Sequence, residues 1–144
     1  MRRVIDYGER GQVTVMRNAD ELAFTATEEI AVAHLRTMRQ RKPTWIALSG
    51  GSTPKAMFTI IKDPMFRRRI DWTQIHFFWG DERWVPLDSN ESNAGEAVRG
   101  FIDEIKLAEE HYHPWPVALE NPDDAASAYE TSIRIVTQAL DDTP

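Results

Sequence analysis

Cysteine is missing from the chain of 144 residues, so neither a disulfide framework nor a thiolate metal site is available to it. Long hydrophobic runs are missing as well. Polar residues interrupt every apolar stretch within a few positions, well short of the roughly 20 residues a membrane span needs. The N-terminal MRRVIDYGERG is charged and lacks the apolar segment of a secretory signal. These absences predict a soluble, cytoplasmic protein with no membrane partner. A basic excess is absent too: 17 Lys and Arg against 23 Asp and Glu leave a net charge of −6. That balance argues against a nucleic-acid surface over the whole protein, and no nucleic-acid partner is expected. The one basic cluster, the arginines at 67–69 behind Asp63-Pro64, reads as a solvated loop or helical turn. There is no internal repeat and no low-complexity segment.

What is present has the balance of a globular protein, 42% hydrophobic and 28% charged, at a length that suits one domain spanning 1–144. QVTVM (12–16) alternates like a strand and follows the shorter RRVID (2–6); an early β pair and two separate strands both fit. From Asn18 to about Gln40 the residues Leu22, Ala26, Ile30, Ala33 and Met38 recur near helical spacing, which predicts a long helix with acidic residues towards its start. His34 lies inside it and reads as a packing or surface histidine. TWIALS (44–49) and QIHFFWG (74–80) are nearly continuous apolar runs, as expected of strands covered on both faces in a parallel sheet. A helix beginning near Pro54 joins them into a strand, helix, strand unit, and a right-handed crossover puts both strand ends on the same edge. Downstream, Asn93 and Glu96 fit a capping box ahead of an apolar stripe of Ala94, Ala97, Val98, Phe101, Ile102 and Ile105. Gly100 inside that helix costs on the order of 1 kcal/mol against alanine. HYHPWPVA (111–118) is too rich in proline for a central strand and reads as an extended segment. A last helix, with Asn121 as cap and Pro122 in its first turn, runs through Ala125, Tyr129, Ile133, Val136 and Leu140.

Chemistry concentrates at two strand ends. After Ser49, Gly50 and Gly51 permit positive φ and close backbone approach; Ser52 and Thr53 offer hydroxyls and a cap, and Pro54 sits where a missing N–H costs nothing. The run fits either a tight turn or a helix N-terminus whose exposed N–H groups attract a phosphate or carboxylate. It has neither the nucleotide P-loop spacing nor that of the dinucleotide motif. The second element, FFWGDERWVPLDSNESN (77–93), carries Asp81, Glu82 and Arg83 out of the next strand. Arg83 can present a planar fork to a phosphate, and Asp81 or Glu82 can orient a sugar hydroxyl or move a proton. A surface salt-bridge cluster fits the same residues. Ligands of open α/β sheets sit beyond the carboxyl ends of strands, where both elements fall.

LSGGSTP followed by WGDERWVPLDSNESN resembles the 6-phosphogluconolactonases, within the wider glucosamine-6-phosphate isomerase/deaminase-like superfamily. The likeness extends to the long helix before WIALSGG, the IDW before the second strand and the helix after SNAGEA. It implies a Rossmann-like α/β fold, a mostly parallel sheet with flanking helices, truncated to the N-terminal half. It also implies hydrolysis of 6-phospho-D-glucono-1,5-lactone in the pentose phosphate pathway, with a phosphosugar as the partner molecule and neither metal nor organic cofactor. By the same resemblance Gly50, Gly51, Ser52, Thr53 and Arg83 surround the substrate, Arg83 towards its phosphate. The family's G-x-G-x-D-G-H-T-A-S run, with its water-activating histidine, does not occur in this sequence. Asp81 is then the nearest candidate for proton transfer. Two other functions fit: a non-catalytic phosphosugar-binding module, and a glucosamine-6-phosphate deaminase-like isomerase, against which Arg83 speaks because deaminases typically carry an aromatic residue there. A half-sheet would expose a strand edge and apolar surface, so self-association is expected.

Overall fold

The computed structural model describes residues 3–141. Strands β1 (Arg3–Asp6) and β2 (Gln12–Val15) pair antiparallel as a hairpin apart from the main sheet, which decides between the two arrangements open to them. Arg2, part of the expected first strand, lies outside the described residues. Helix α1 (Ala19–Arg39) starts where predicted: Asn18 Oδ1 accepts the Glu21 N–H at 2.8 Å. Its buried stripe is not the one expected. Ala23, Thr27, Ala31 and His34 face inward while Leu22 stays 40% exposed. Small side chains at four-residue spacing let α1 lie close to its neighbours, a demand that outranks hydrophobicity at this surface.

The main sheet has the order β3 (Thr44–Leu48), β4 (Ile75–Trp79), β5 (Tyr112–His113), all parallel. Thr44 lies opposite Ile75 and Leu48 opposite Trp79, so β3 and β4 end together. The crossover between them is helix α2 (Ser52–Ile61) and the short α3 (Pro64–Arg67), capped by Asp63. The three arginines at 67–69 therefore occupy the end of that turn, as expected of a helical turn or loop. Proline confines 112–118 to the two residues of β5 at the sheet edge.

One face of this sheet is closed. Ile75, Phe77, Trp79 and Leu48 meet Phe58 and Ile61 of α2 and the helix that starts as α4 (Asn93–Ala97), passes through a π turn at Val98–Ile102 and ends as α5 (Asp103–Ile105). Ala94, Ala97, Phe101, Ile102 and Ile105 are buried as the apolar stripe predicts. Gly100 has a packing reason: a Cβ there would lie 3.1 Å from the Phe58 ring, whose centroid is 4.9 Å from that of Phe101 in a tilted pair. The opposite face differs from expectation. Trp45 is 37% exposed and Ala47 is exposed beside it, so β3 is covered on one side only. Helix α6 (Pro122–Asp141) reaches this second face near the strand ends, where Ala125 and Tyr129 are buried. Between α6 and the sheet runs a cleft of about 500 Å³ lined by Ala47, Phe78, Trp115 and Ile133. Ile133 and Val136 are half-buried, and the side chain of Leu140 lies outside the described residues.

Candidate functional site

Parallel strands of equal length deliver both sequence motifs to one place. The Gly80 N–H donates to the Leu48 carbonyl at 3.0 Å, so the glycine turn and the acidic loop leave the sheet side by side. The two glycines serve different ends. Gly51 has φ 111°, a conformation that side chains disfavour, and it is the N-cap of α2. At Gly50 the constraint is space: a Cβ would fall 1.9 Å from Asn93 Oδ1.

Two helix N-termini face this region, and their occupancy is opposite. At α4, Ser92 Oγ accepts from the Gly95 N–H at 2.9 Å, making Ser92 rather than Asn93 the cap. Glu82 adds its carboxylate: Oε1 accepts from the N–H groups of Asn93 (2.7 Å) and Arg83 (2.8 Å), and Oε2 from the Ala94 N–H (2.9 Å) and Ser92 Oγ (3.1 Å). A negative group already neutralises that helix end. Glu82, considered above for proton transfer, is thereby committed to holding the loop. Glu96, the other half of the expected capping box, instead pairs with Lys55 at 2.6 Å. At α2, by contrast, no side chain caps the first turn; Ser52 and Thr53 are exposed and supply no such bond, which corrects their expected capping role. Lys55 closes the first turn onto the Gly51 carbonyl at 3.2 Å, and Pro54 has no N–H. The amides ahead of it therefore have no side-chain acceptor at the start of the helix, the geometry of an open helix N-terminus.

Asp81 and Arg83 stand at the rim. Arg83 Nη1 donates to Asp81 Oδ2 at 3.0 Å with the two side chains 58% and 49% exposed, an ion pair of modest strength in water. Ser49 Oγ reaches Asp81 Oδ1 at 3.4 Å, and Asn93 Nδ2 donates to the Asp81 carbonyl (3.1 Å) and Oδ2 (3.3 Å). Gly50, Asp81 and Arg83 thus form a connected group, with Gly51, Ser52 and Thr53 next to it along the chain. Asn93 is the member that the sequence did not disclose. Read as a cap, it turns out to bridge the turn and the loop.

The strand end itself is pinned from the second face. Tyr129 OH accepts from the Trp79 N–H at 2.7 Å and donates to the Trp79 carbonyl at 3.1 Å; Trp115 Nε1 donates to the same carbonyl at 2.9 Å. Burial raises the Tyr129 phenol above its ordinary pKa, keeping that donor protonated.

The histidines lie elsewhere. His34 is 2% exposed between α1 and the sheet. Its Nε2 accepts the Asp71 N–H at 3.3 Å, which leaves Nδ1 as the donor to Thr44 Oγ1 at 2.9 Å. This is the packing histidine expected, and burial lowers its pKa. His76 and His113 are joined Nδ1 to Nε2 at 3.1 Å, with the His111 ring 4.9 Å from His76. Burial first, then the charges of His111 and His113, pushes His76 down to about 4. Among the described residues, no group of three or more His, Cys, Asp or Glu is arranged to hold a metal, and no helix is long and apolar enough to cross a membrane.

A parallel sheet with flanking helices and an uncapped helix N-terminus at its carboxyl edge defines an α/β protein of Rossmann-like build. Solved structures share the arrangement: 6-phosphogluconolactonase from Trypanosoma cruzi superposes with a TM-score of 0.72 at 29% identity, over 85% of this chain and 49% of that one. A monomeric glucosamine-6-phosphate deaminase gives 0.72 at 14% identity, a likeness of fold. The sequence profile of the glucosamine-6-phosphate isomerases/6-phosphogluconolactonase family matches residues 17–143, and the chain belongs to that family. The 6-phosphogluconolactonase of Synechocystis sp. is 34% identical over 122 residues, 85% of this chain and 49% of the relative. The chain thus spans about half the length of the curated relatives it matches.

Proposed function

We infer that residues 1–144 are one α/β domain supplying the phosphosugar-binding strand ends of a 6-phosphogluconolactonase, whose reaction is hydrolysis of 6-phospho-D-glucono-1,5-lactone to 6-phosphogluconate. The observation that carries this is the uncapped N-terminus of α2 beside Asp81 and Arg83, while Glu82 fills that of α4. Amides of Gly51, Ser52 and Thr53 bind anionic oxygen, Gly50 lets the ligand approach, and Arg83 turns its fork from Asp81 to the phosphate. In the reaction water adds to the lactone carbonyl and gives up a proton to a base. The carbonyl oxygen carries the charge until the bond from carbonyl carbon to ring oxygen breaks, and the ring oxygen takes a proton to become a hydroxyl. Asp81 is this chain's candidate for the base. The cytoplasm suits such a substrate, and neither a nucleic acid nor a membrane enters the account.

The test is hydrolysis of freshly made lactone by the purified chain against the spontaneous rate. Acceleration abolished by Arg83→Ala supports the assignment, and no loss in Asp81→Asn removes Asp81 as base. A background rate with saturable 6-phosphogluconate binding leaves a phosphosugar-binding module. Ammonia release from glucosamine 6-phosphate would turn the assignment to a deaminase. The half-covered β3 edge also leads us to expect self-association; a monomer on sizing with a sharp unfolding transition counts against it.

A further inference from the structure

Asn93 makes contacts of two separable kinds. Its backbone N–H belongs to the start of α4, held by Glu82 Oε1, and needs no particular side chain. Its side chain is directed away from that helix. The amide NH₂ faces two acceptors of Asp81, which fixes the orientation of the group and turns Oδ1 towards Gly50. The residue is only 9% exposed, so the amide is wedged between the two loops instead of swinging in solvent. Gly50 is not in the left-handed region, whereas Gly51 is. At 50 a Cβ would fall where the Asn93 amide lies, 1.9 Å from Oδ1 and 2.6 Å from Cγ, so any larger residue there must displace that amide. Towards the glycine turn the Asp81 carboxylate meets Ser49 Oγ at 3.4 Å and Asn93 Nδ2 at 3.3 Å.

We propose that Asn93 is a positioning residue of the phosphosugar site, the spacer that sets the distance between the glycine turn and the Asp81–Arg83 loop. It rests on the assignment made under Proposed function only for the ligand; the coupling itself belongs to the geometry. Asn93→Ala keeps the Ser92 and Glu82 contacts at α4, so the fold survives while the spacer is lost. Gly50→Ala drives the same amide out of place.

The experiment is a double-substitution cycle of Gly50→Ala and Asn93→Ala on the 144-residue chain, followed by backbone amide NMR spectra and by titration with 6-phosphogluconate. Gly50→Ala should move the Asp81 and Arg83 amide resonances when Asn93 is present and leave them in place in the Asn93→Ala background. Affinity for 6-phosphogluconate should fall about tenfold in either single variant, and the double variant should lose little more. Asn93→Asp, of the same shape but without the donor, should fail to restore binding. Equal resonance shifts in both backgrounds, no shift in either, or additive losses of affinity would overturn the proposal. If the parent chain binds no 6-phosphogluconate, the phosphosugar assignment falls while the resonance cycle still decides the coupling. If Gly50→Ala does not fold, Asn93→Ala and Asn93→Asp decide through the Gly50 and Asp81 resonances: both must shift, and unchanged ones overturn it.

Discussion

The two faces of the sheet carry similar sequence and meet different fates. Ile75, Phe77 and Trp79 point to one side of β4 and are all but fully buried; on the other side of the paired strands, Trp45 and Ala47 look out beside His76. The closed face is where α2 and α4 are held, so it fixes the positions of the two helix N-termini. The geometry of the site is therefore set from the closed face, although Phe78, Ala125 and Tyr129 are buried on the other one. The second face contributes at one point, where Tyr129 and Trp115 grip the Trp79 backbone.

The sharpest way to break that contrast is to cut into the closed core. Phe101→Ala removes a ring packed against both Phe58 and Phe77 and should cost about 3–5 kcal/mol in chemical denaturation. A loss under about 1 kcal/mol would mean the core is far looser than described. Acid acts on the other face. His76 takes up its proton in the unfolded chain near its ordinary 6.5 but in the folded one only near 4, so the unfolded state binds more protons between those values. Stability should be full above pH 6.5 and fall progressively towards pH 4, by on the order of 2–3 kcal/mol, and His76→Gln should flatten the slope. An unchanged pH profile in that variant would place the acid sensitivity elsewhere, at His34 or His113, whose pKa values burial also lowers.

Replacing the carboxylate that fills the α4 terminus is a smaller insult. Glu82→Gln keeps the shape but turns an NH₂ towards backbone N–H donors, and should cost about 1–2 kcal/mol with the loss centred on the 82–95 amides in hydrogen exchange. The smallest effect is expected at Ala47→Thr, within about 0.5 kcal/mol, because that side chain is exposed on an edge strand. A large loss there would show that the second face is closed in solution by something else, self-association first.

Much of this was legible in the sequence, and the exceptions have causes. The strand, helix, strand unit declared itself because an apolar run stopped at two glycines and resumed at helical spacing. Which face of α1 is buried was not legible, since a hydrophobicity pattern weights Leu22 and Ile30 while close packing selects Ala23, Thr27 and Ala31. Coverage of β3 depends on its place at the sheet edge, which no local pattern carries. The start of α4 slipped by one residue because Ser92 and Asn93 are both good caps, and the choice is made by Glu82, ten positions upstream. That long-range contact also hid the two roles most relevant to the site. Glu82 looked like a reactive carboxylate and is a helix anchor; Asn93 looked like an anchor and spans the site.

The central claim is that the open terminus of α2, with Arg83 beside it, receives a phosphosugar. Titration of the ¹⁵N-labelled chain with 6-phosphogluconate tests it most directly. The account predicts saturable shifts at Gly50, Gly51, Ser52, Thr53 and Arg83 that inorganic phosphate reproduces in part and that Arg83→Ala weakens. Shifts confined to the groove of Lys55, Lys62 and Arg99 between α2 and α4, or none at all, would contradict it.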